Sequence, residues 1–263
     1  MSELMDAYWA APPLARTMTT AIVITSVSVY LLGWLSPFWI GFHEERLFRF
    51  PPEIWRLVTN FFVSEPKIGI IMDPWFVYDY LKQVEVANPK FSAKEDVLWY
   101  LITVGSFIIF INRAIIGSGG FFLNGLIMAL CYTATQDQRG TRAGFFFFTV
   151  PAQTIPYCMI AMSFLMRPWI IPMQISGIVA AHLHDFLWRI WPEFGGGPRL
   201  LATPKFVSYL VQTPAALNRG YGTAFRPGAG SGTGTGRTTG ASTGSVLPDS
   251  WRTRGTGRRL GGD

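Results

Sequence analysis

The sequence predicts an all-α polytopic membrane protein, with six membrane-spanning helices and a disordered C-terminal tail. Three observations predict it. Nearly half of the 263 residues are hydrophobic, 14% are charged, and the mean hydropathy is positive even though the last quarter of the chain is polar. Long apolar runs recur through the first three quarters, more than a water-soluble domain needs. The run from Trp169 to Trp191 carries a tryptophan at each end, where an aromatic belt places them, and it is long enough to cross a bilayer core. The chain also carries a net charge of +6, and ten of its 22 Lys and Arg residues follow Trp188. That clustering marks sidedness rather than nucleic-acid binding. Cys131 and Cys158 both fall inside apolar runs and offer neither a disulfide framework nor metal spacing. No Walker, zinc or dinucleotide motif is present, so no cofactor is expected.

Residues 1–16 read as a cytosolic lead, with Leu4, Met5, Tyr8 and Trp9 suited to a membrane surface. Glu3 and Asp6 precede a long apolar run without a small-x-small site, so an uncleaved anchor is expected. The membrane domain spans residues 17–191. Its first span is Met18 to Leu35, followed by a loop from Ser36 to Glu53 in which aromatic and charged residues alternate. Arg and Trp together suit the headgroup region. The second span opens at Glu53 and runs to about Leu81, interrupted by Glu65, Pro66, Lys67, Asp73 and Pro74. A broken helix is tolerated where it is buried in protein or lines a wet cavity. A short re-entrant piece followed by a separate helix fits the same residues.

Val97 to Ile111 is the third span, Phe121 to Thr135 the fourth, and Ala143 to Leu165 the fifth, kinked at Pro151 and Pro156. The sixth is the tryptophan-flanked run. On it Gly177 and Ala181 lie four residues apart on one face, a small pair that lets another helix approach closely. His182, His184 and Asp185 follow, and polar groups at such depth should face protein or water. An even number of spans puts both termini on one side. The basic tail and the loop with Arg139 and Arg142 fit the cytosol. Residues 192–221 form a membrane-proximal segment. Residues 222–263 are Gly/Ser/Thr-rich and are expected to be disordered.

Several of these stretches together resemble the derlins, rhomboid-like pseudoproteases of the endoplasmic reticulum. They are Ile54-Trp-Arg-Leu-Val-Thr-Asn-Phe61, Tyr78-x-Tyr-Leu81, Gly177-Ile-Val-Ala-Ala-His-Leu183 and the terminal Gly255-Thr-Gly-Arg-Arg-Leu-Gly261. The resemblance covers about residues 15–205 and the last ten. It implies a six-helix rhomboid-like fold in the endoplasmic reticulum membrane with both termini cytosolic. It also implies a role in endoplasmic-reticulum-associated degradation, helping misfolded proteins reach the cytosol. The implied partners are a ubiquitin ligase complex, an AAA segregase of the valosin-containing-protein type, misfolded substrates and membrane lipids, and assembly as a homo- or hetero-oligomer stays open. Carried over by position, Trp55 and Arg56 are the loop motif, and Gly177 and Ala181 the small pair, with Ala181 where derlins usually have Gly. Gly255, Gly257, Arg259 and Leu260 match the segregase-binding box. That box lacks the usual adjacent aromatic, since Arg254 stands there and Trp251 lies further back; Phe225-Arg-Pro-Gly-Ala-Gly230 is a second candidate. Glu65, Lys67 and Asp73 occupy a region that is more apolar in derlins.

Two other classes compete. A rhomboid-type intramembrane serine protease needs a serine near the start of the fourth helix and a histidine on the sixth. His182 supplies the base position, but the resemblance places Gly125 where the nucleophile would stand. Ser118 lacks the Gly-x-Ser-Gly pattern, because Ile116 sits where the first Gly is required. A transporter or channel would use the broken second span, but no inverted repeat is visible. The residues therefore favour a protein that is not an enzyme.

Overall fold

The computed structural model describes residues 2–207 except 48, 49, 89, 92, 118, 139, 146, 147, 195, 199 and 205. Helix α1 (Ser2–Ala10) gives way at Pro12 to α2 (Pro13–Tyr30). A proline in the first turn of α2 costs nothing there, because the first N–H groups of a helix lack intrahelical acceptors. Three single-turn pieces follow in the long loop: α3 (Pro37–Ile40), α4 (Glu44–Leu47) and α5 (Arg56–Thr59). Then come α6 (Gly69–Lys82), α7 (Lys94–Ile111), α8 (Leu123–Gln136), the strands β1 (Arg142–Phe145) and β2 (Phe148–Pro151), α9 (Ile155–Met166), α10 (Ile171–Asp185) and α11 (Trp191–Phe194). Helices α6, α7 and α10 continue as wider i→i+5 turns through Ala87, Ile116 and Ile190.

Hydrogen bonds at the helix ends set the direction of each rod. At one end, the loop after α2 joins the turn before α8: Phe42 and Gly120 exchange backbone bonds of 2.8 and 3.0 Å, and Phe122 N–H donates to Asn60 O at 3.2 Å. At the other end, Glu85 accepts from Ala15 N–H (3.1 Å) and Leu14 N–H (3.4 Å), Asn88 donates to Thr133 O (3.2 Å), and Gln153 donates to Gln136 O (3.0 Å). Thr203 also reaches Asp96 there, at 2.6 Å. Helices α2, α6, α7, α8, α9 and α10 therefore alternate in direction. The first end carries the long loop, the second Leu14 and Thr203.

Helix α8 is the hub. It is buried along most of its length, from Leu123 through Cys131, and packs against α6, α9 and α10. The surrounding helices instead leave large apolar side chains exposed on their outer faces, among them Ile24, Ile71, Phe110, Phe164 and Leu165. A bundle in water would bury these; in lipid that face is already solvated by hydrocarbon.

Two helices among the described residues are long and apolar enough to cross a membrane on their own, Lys94–Ile116 and Pro168–Phe194, with Ala152–Met166 shorter but apolar. The expected second and fifth spans need correction. The second is not one rod from Glu53 to Leu81. Pro66 and the left-handed Lys67 (φ 65°) break it, Ser64 is tied to Ser26 by a 2.8 Å side-chain bond, and buried Asp73 accepts Glu65 N–H at 2.9 Å. Glu65 and Lys67 thus lie in the connector, and only Asp73 is helical. The fifth starts as a hairpin paired Arg142↔Pro151 and Ala143↔Val150, so Ala143 is in a strand. Pro151 ends β2 and Pro156 lies in the first turn of α9; neither kinks a helix. An open-edged hairpin has unpaired backbone groups, which keeps it out of the hydrocarbon layer.

Candidate functional site

The loop motif is built around Arg56. Its side chain is fully buried, and Nη1 donates to Phe38 O (2.6 Å) and Gly41 O (2.7 Å), while Nε donates to the Glu53 carboxylate. Phe38 and Gly41 bracket α3, so one guanidinium fastens α3 to the start of α5. Thr59 Oγ1 adds a 3.1 Å bond to Ile40 O. The planar fork of arginine suits several acceptors at fixed angles. Arg56 is therefore an internal staple and does not contact lipid headgroups, whereas Trp55 beside it is half exposed and free to serve as an interfacial anchor.

The Arg56 guanidinium bonded to Glu53 holds that carboxyl below the usual carboxylate range. A carboxyl lowered on folding contributes stability above its unfolded pKa and loses it as pH falls through the folded value. Thermal melts of wild type and Glu53→Gln in detergent should differ at neutral pH and converge only as pH falls below the ordinary carboxylate range.

The small pair on α10 meets α8. A Cβ built on Gly177 would run into Gly125 O and lie 2.8 Å from its carbonyl carbon and 3.1 Å from its Cα. The two backbones are in direct contact. Ala181, one turn on, is buried in the same packing. Beside this crossing runs a chain of buried polar groups: Asn112 Nδ2 donates to Ser176 Oγ (2.7 Å), and Gln174 Nε2 to Ser163 Oγ (2.8 Å). These polar side chains face other helices, as their cost in lipid requires.

At the end that carries Leu14 and Thr203, α8 and α10 open around a cavity of about 210 Å³ lined by Lys90, Tyr100, Tyr132, His182, His184 and Asp185, among others. Lys90 bridges Asp137 (2.8 Å) and Asp185 (3.1 Å), and Arg189 also pairs with Asp185 (3.0 Å). Tyr100 OH donates to Ala129 O (3.1 Å) and lies 2.6 Å from Thr133 Oγ1. Sequence reasoning named the histidines and Asp185 but missed Lys90, which sits in a polar loop with no local signal of its ion pairs.

A serine nucleophile needs a base within hydrogen-bond reach. His182 Nδ1 is 3.1 Å from Tyr132 OH, so its partner is a phenol. At Gly125, a Cβ would stand 3.2 Å from both Met173 O and Ile108 Cγ2, which leaves little room for a serine side chain. Ser118, and the terminal box of Gly255, Gly257, Arg259 and Leu260, lie outside the described residues.

The profile of the Der1-like family matches residues 11–205. Over 244 residues the chain is 25% identical to Derlin-2.1 of Zea mays, covering 84% of this chain and 94% of the relative. Derlin-1 of Drosophila melanogaster is 26% identical over 231 residues, with 83% and 89% covered. Derlin-1 of Homo sapiens is 26% identical over 214 residues, with 79% and 82% covered. A match that runs from the start of α2 to the segment packed on α7 takes in both the Arg56 staple and the Gly125–Gly177 crossing, and on it the chain belongs to the Der1-like family.

Proposed function

We propose that this protein is a non-catalytic component of endoplasmic-reticulum-associated degradation. It spans the endoplasmic reticulum membrane six times in a rhomboid-like arrangement, with both termini in the cytosol. It assists misfolded proteins out to the cytosol alongside a ubiquitin ligase complex, and it recruits an AAA segregase of the valosin-containing-protein type through Gly255, Gly257, Arg259 and Leu260. Membership of the derlin family carries the reading. The alternation of six helices supports the topology, because it puts Lys90, Arg189 and Thr203 at one end.

The helix lengths support the mechanism. Helix α8 has 14 residues and α9 has 12, so they rise only about 21 and 18 Å, against a hydrocarbon core of about 30 Å. Short spans thin the bilayer around them and lower the cost of moving polar chain across. The tail box is a short, Gly-punctuated sequence of the kind that adds to a partner's sheet edge, with Arg259 and Leu260 offered to pockets there. The backbone contact between Gly125 and Gly177 and the Tyr132 partner of His182 support the absence of protease chemistry.

The test is a pull-down of purified segregase by the full-length protein and by a version ending at Ser250. The expected result is binding by the first and loss of binding by the second. Equal capture by both would move the contact out of the terminal box, and capture by neither would overturn segregase recruitment.

A further inference from the structure

Helix α2 packs along α6 and leaves a groove between itself and α7. The groove has a volume of about 700 Å³. Met18 and Ala21 form one wall, Leu98 and Ile109 the other, with Phe61 and Leu126 beneath. Its only hydroxyls are already spent within their own helices: Thr17 Oγ1 donates to Pro13 O and Ser106 Oγ to Ile102 O, each at 2.8 Å. The occupant must therefore be apolar over its whole inserted length.

Depth and lining point to the occupant. From Leu98 to Ile109, α7 rises about 16 Å, close to half of a hydrocarbon core of about 30 Å, which is the depth one leaflet's acyl chains fill. A groove apolar over that depth suits extended hydrocarbon chains.

Charge places the other end of the ligand. Lys94 lies one turn before Leu98 on the same stripe of α7, at the end where Glu85 holds the start of α2. Its ammonium enters no ion pair among the described residues. The acid closest to it in charge, Glu85, is engaged by the first N–H groups of α2. A lysine ammonium at the mouth of an apolar groove suits a phosphate headgroup, and the cytosolic leaflet is the anionic one.

We propose that this groove holds a glycerophospholipid of the cytosolic leaflet, its acyl chains wedged between α2 and α7 and its phosphate at Lys94. The lipid completes the packing that α2 and α7 do not make directly and lies against Phe61, five residues beyond Arg56 on the loop motif. The inference rests on the membrane-spanning reading above.

The test uses the full-length protein purified in mild detergent, with bound lipid read by native mass spectrometry. Wild type should retain a phospholipid adduct. Ser106→Trp, at an exposed groove position, should lose it while keeping the wild-type melting profile in excess detergent. Lys94→Glu should shift the retained lipid from anionic to zwitterionic species. Adduct retained by Ser106→Trp, or a headgroup preference unchanged in Lys94→Glu, would overturn the proposal. A photo-crosslinking residue at Ile102 in intact membranes provides the second arm. Lipid conjugates are expected, and conjugation to polypeptide would assign the groove to a protein partner instead. Alkaline carbonate extraction of the same membranes keeps the two readings apart. Release into the soluble fraction would sink the spanning reading, whereas a lipid-free but membrane-retained protein would sink only the lipid site.

Discussion

Gly177→Val is expected to abolish the folded protein in detergent, and Gly177→Ala to lower its melting temperature sharply. Any Cβ at position 177 meets the carbonyl of Gly125, and both partners are helix backbone, Gly125 in the first turn of α8 and Gly177 midway along α10, so no side chain can rotate away. Relief requires α8 and α10 to separate, and α8 is the most buried helix of the bundle. Overpacking a filled core costs about 1–3 kcal/mol, occasionally more, and a backbone-to-backbone clash belongs at the upper end. Gly144→Ala is the control: it has nothing within 4 Å of its Cβ and should melt like wild type. Fluorescence-detected size-exclusion after heating reads both. A wild-type melting point for Gly177→Val would mean that the two helices do not cross at these glycines.

Arg56→Ala should destabilise the loop end by about 3 kcal/mol or more, from the loss of two charge-assisted bonds to Phe38 O and Gly41 O. Phe38 O then loses its side-chain donor, Gly41 O keeps only the 3.1 Å contact with His43 Nδ1, and the Glu53 carboxylate keeps only the 3.5 Å pair with Arg46. Arg56→Lys should recover only part of this, because a single ammonium cannot reproduce the fork that holds two carbonyls and a carboxylate together. Limited proteolysis of the segment 36–55 should quicken in both variants. Trp55→Ala separates the two halves of the motif. Trp55 is half exposed, so its loss should leave the melting temperature nearly unchanged. Equal melting of Arg56→Ala and wild type would refute the staple.

The apolar runs made several helices readable. Val97 to Ile111 was expected and α7 covers Lys94–Ile111; Phe121 to Thr135 was expected and α8 covers Leu123–Gln136. In both cases a long run bounded by polar or glycine residues has only one way to satisfy its backbone. The stretch from Ala143 was not readable. An apolar run opening on four consecutive Phe residues fits a buried helix or a strand equally well by periodicity, and the pairing of Ala143 with Val150 decided for the hairpin. The second span failed for a related reason. Its Pro and charged residues announced an interruption, but only the bonds of Ser64 to Ser26 and of Asp73 to Glu65 show where the connector stops and α6 begins.

The sequence by itself determined the class of the protein, the family and the residues to watch, because hydrophobic runs and short motifs are local properties of the chain. Trp55, Arg56, Gly177, Ala181 and His182 all stood out before any coordinates. What each of them does was decided by tertiary structure. Arg56 was legible only as half of a loop motif and is a buried staple, since carbonyls of residues 38 and 41, distant in sequence, accept its guanidinium bonds. Gly177 was paired by spacing with Ala181, but its contact is Gly125 on another helix. His182 held the position of a base and faces a tyrosine. Lys90 carried no signal at all until α8 and α10 brought Asp137 and Asp185 to it. In each case the deciding partner comes from a separate element, and only the packing of helices sets that distance.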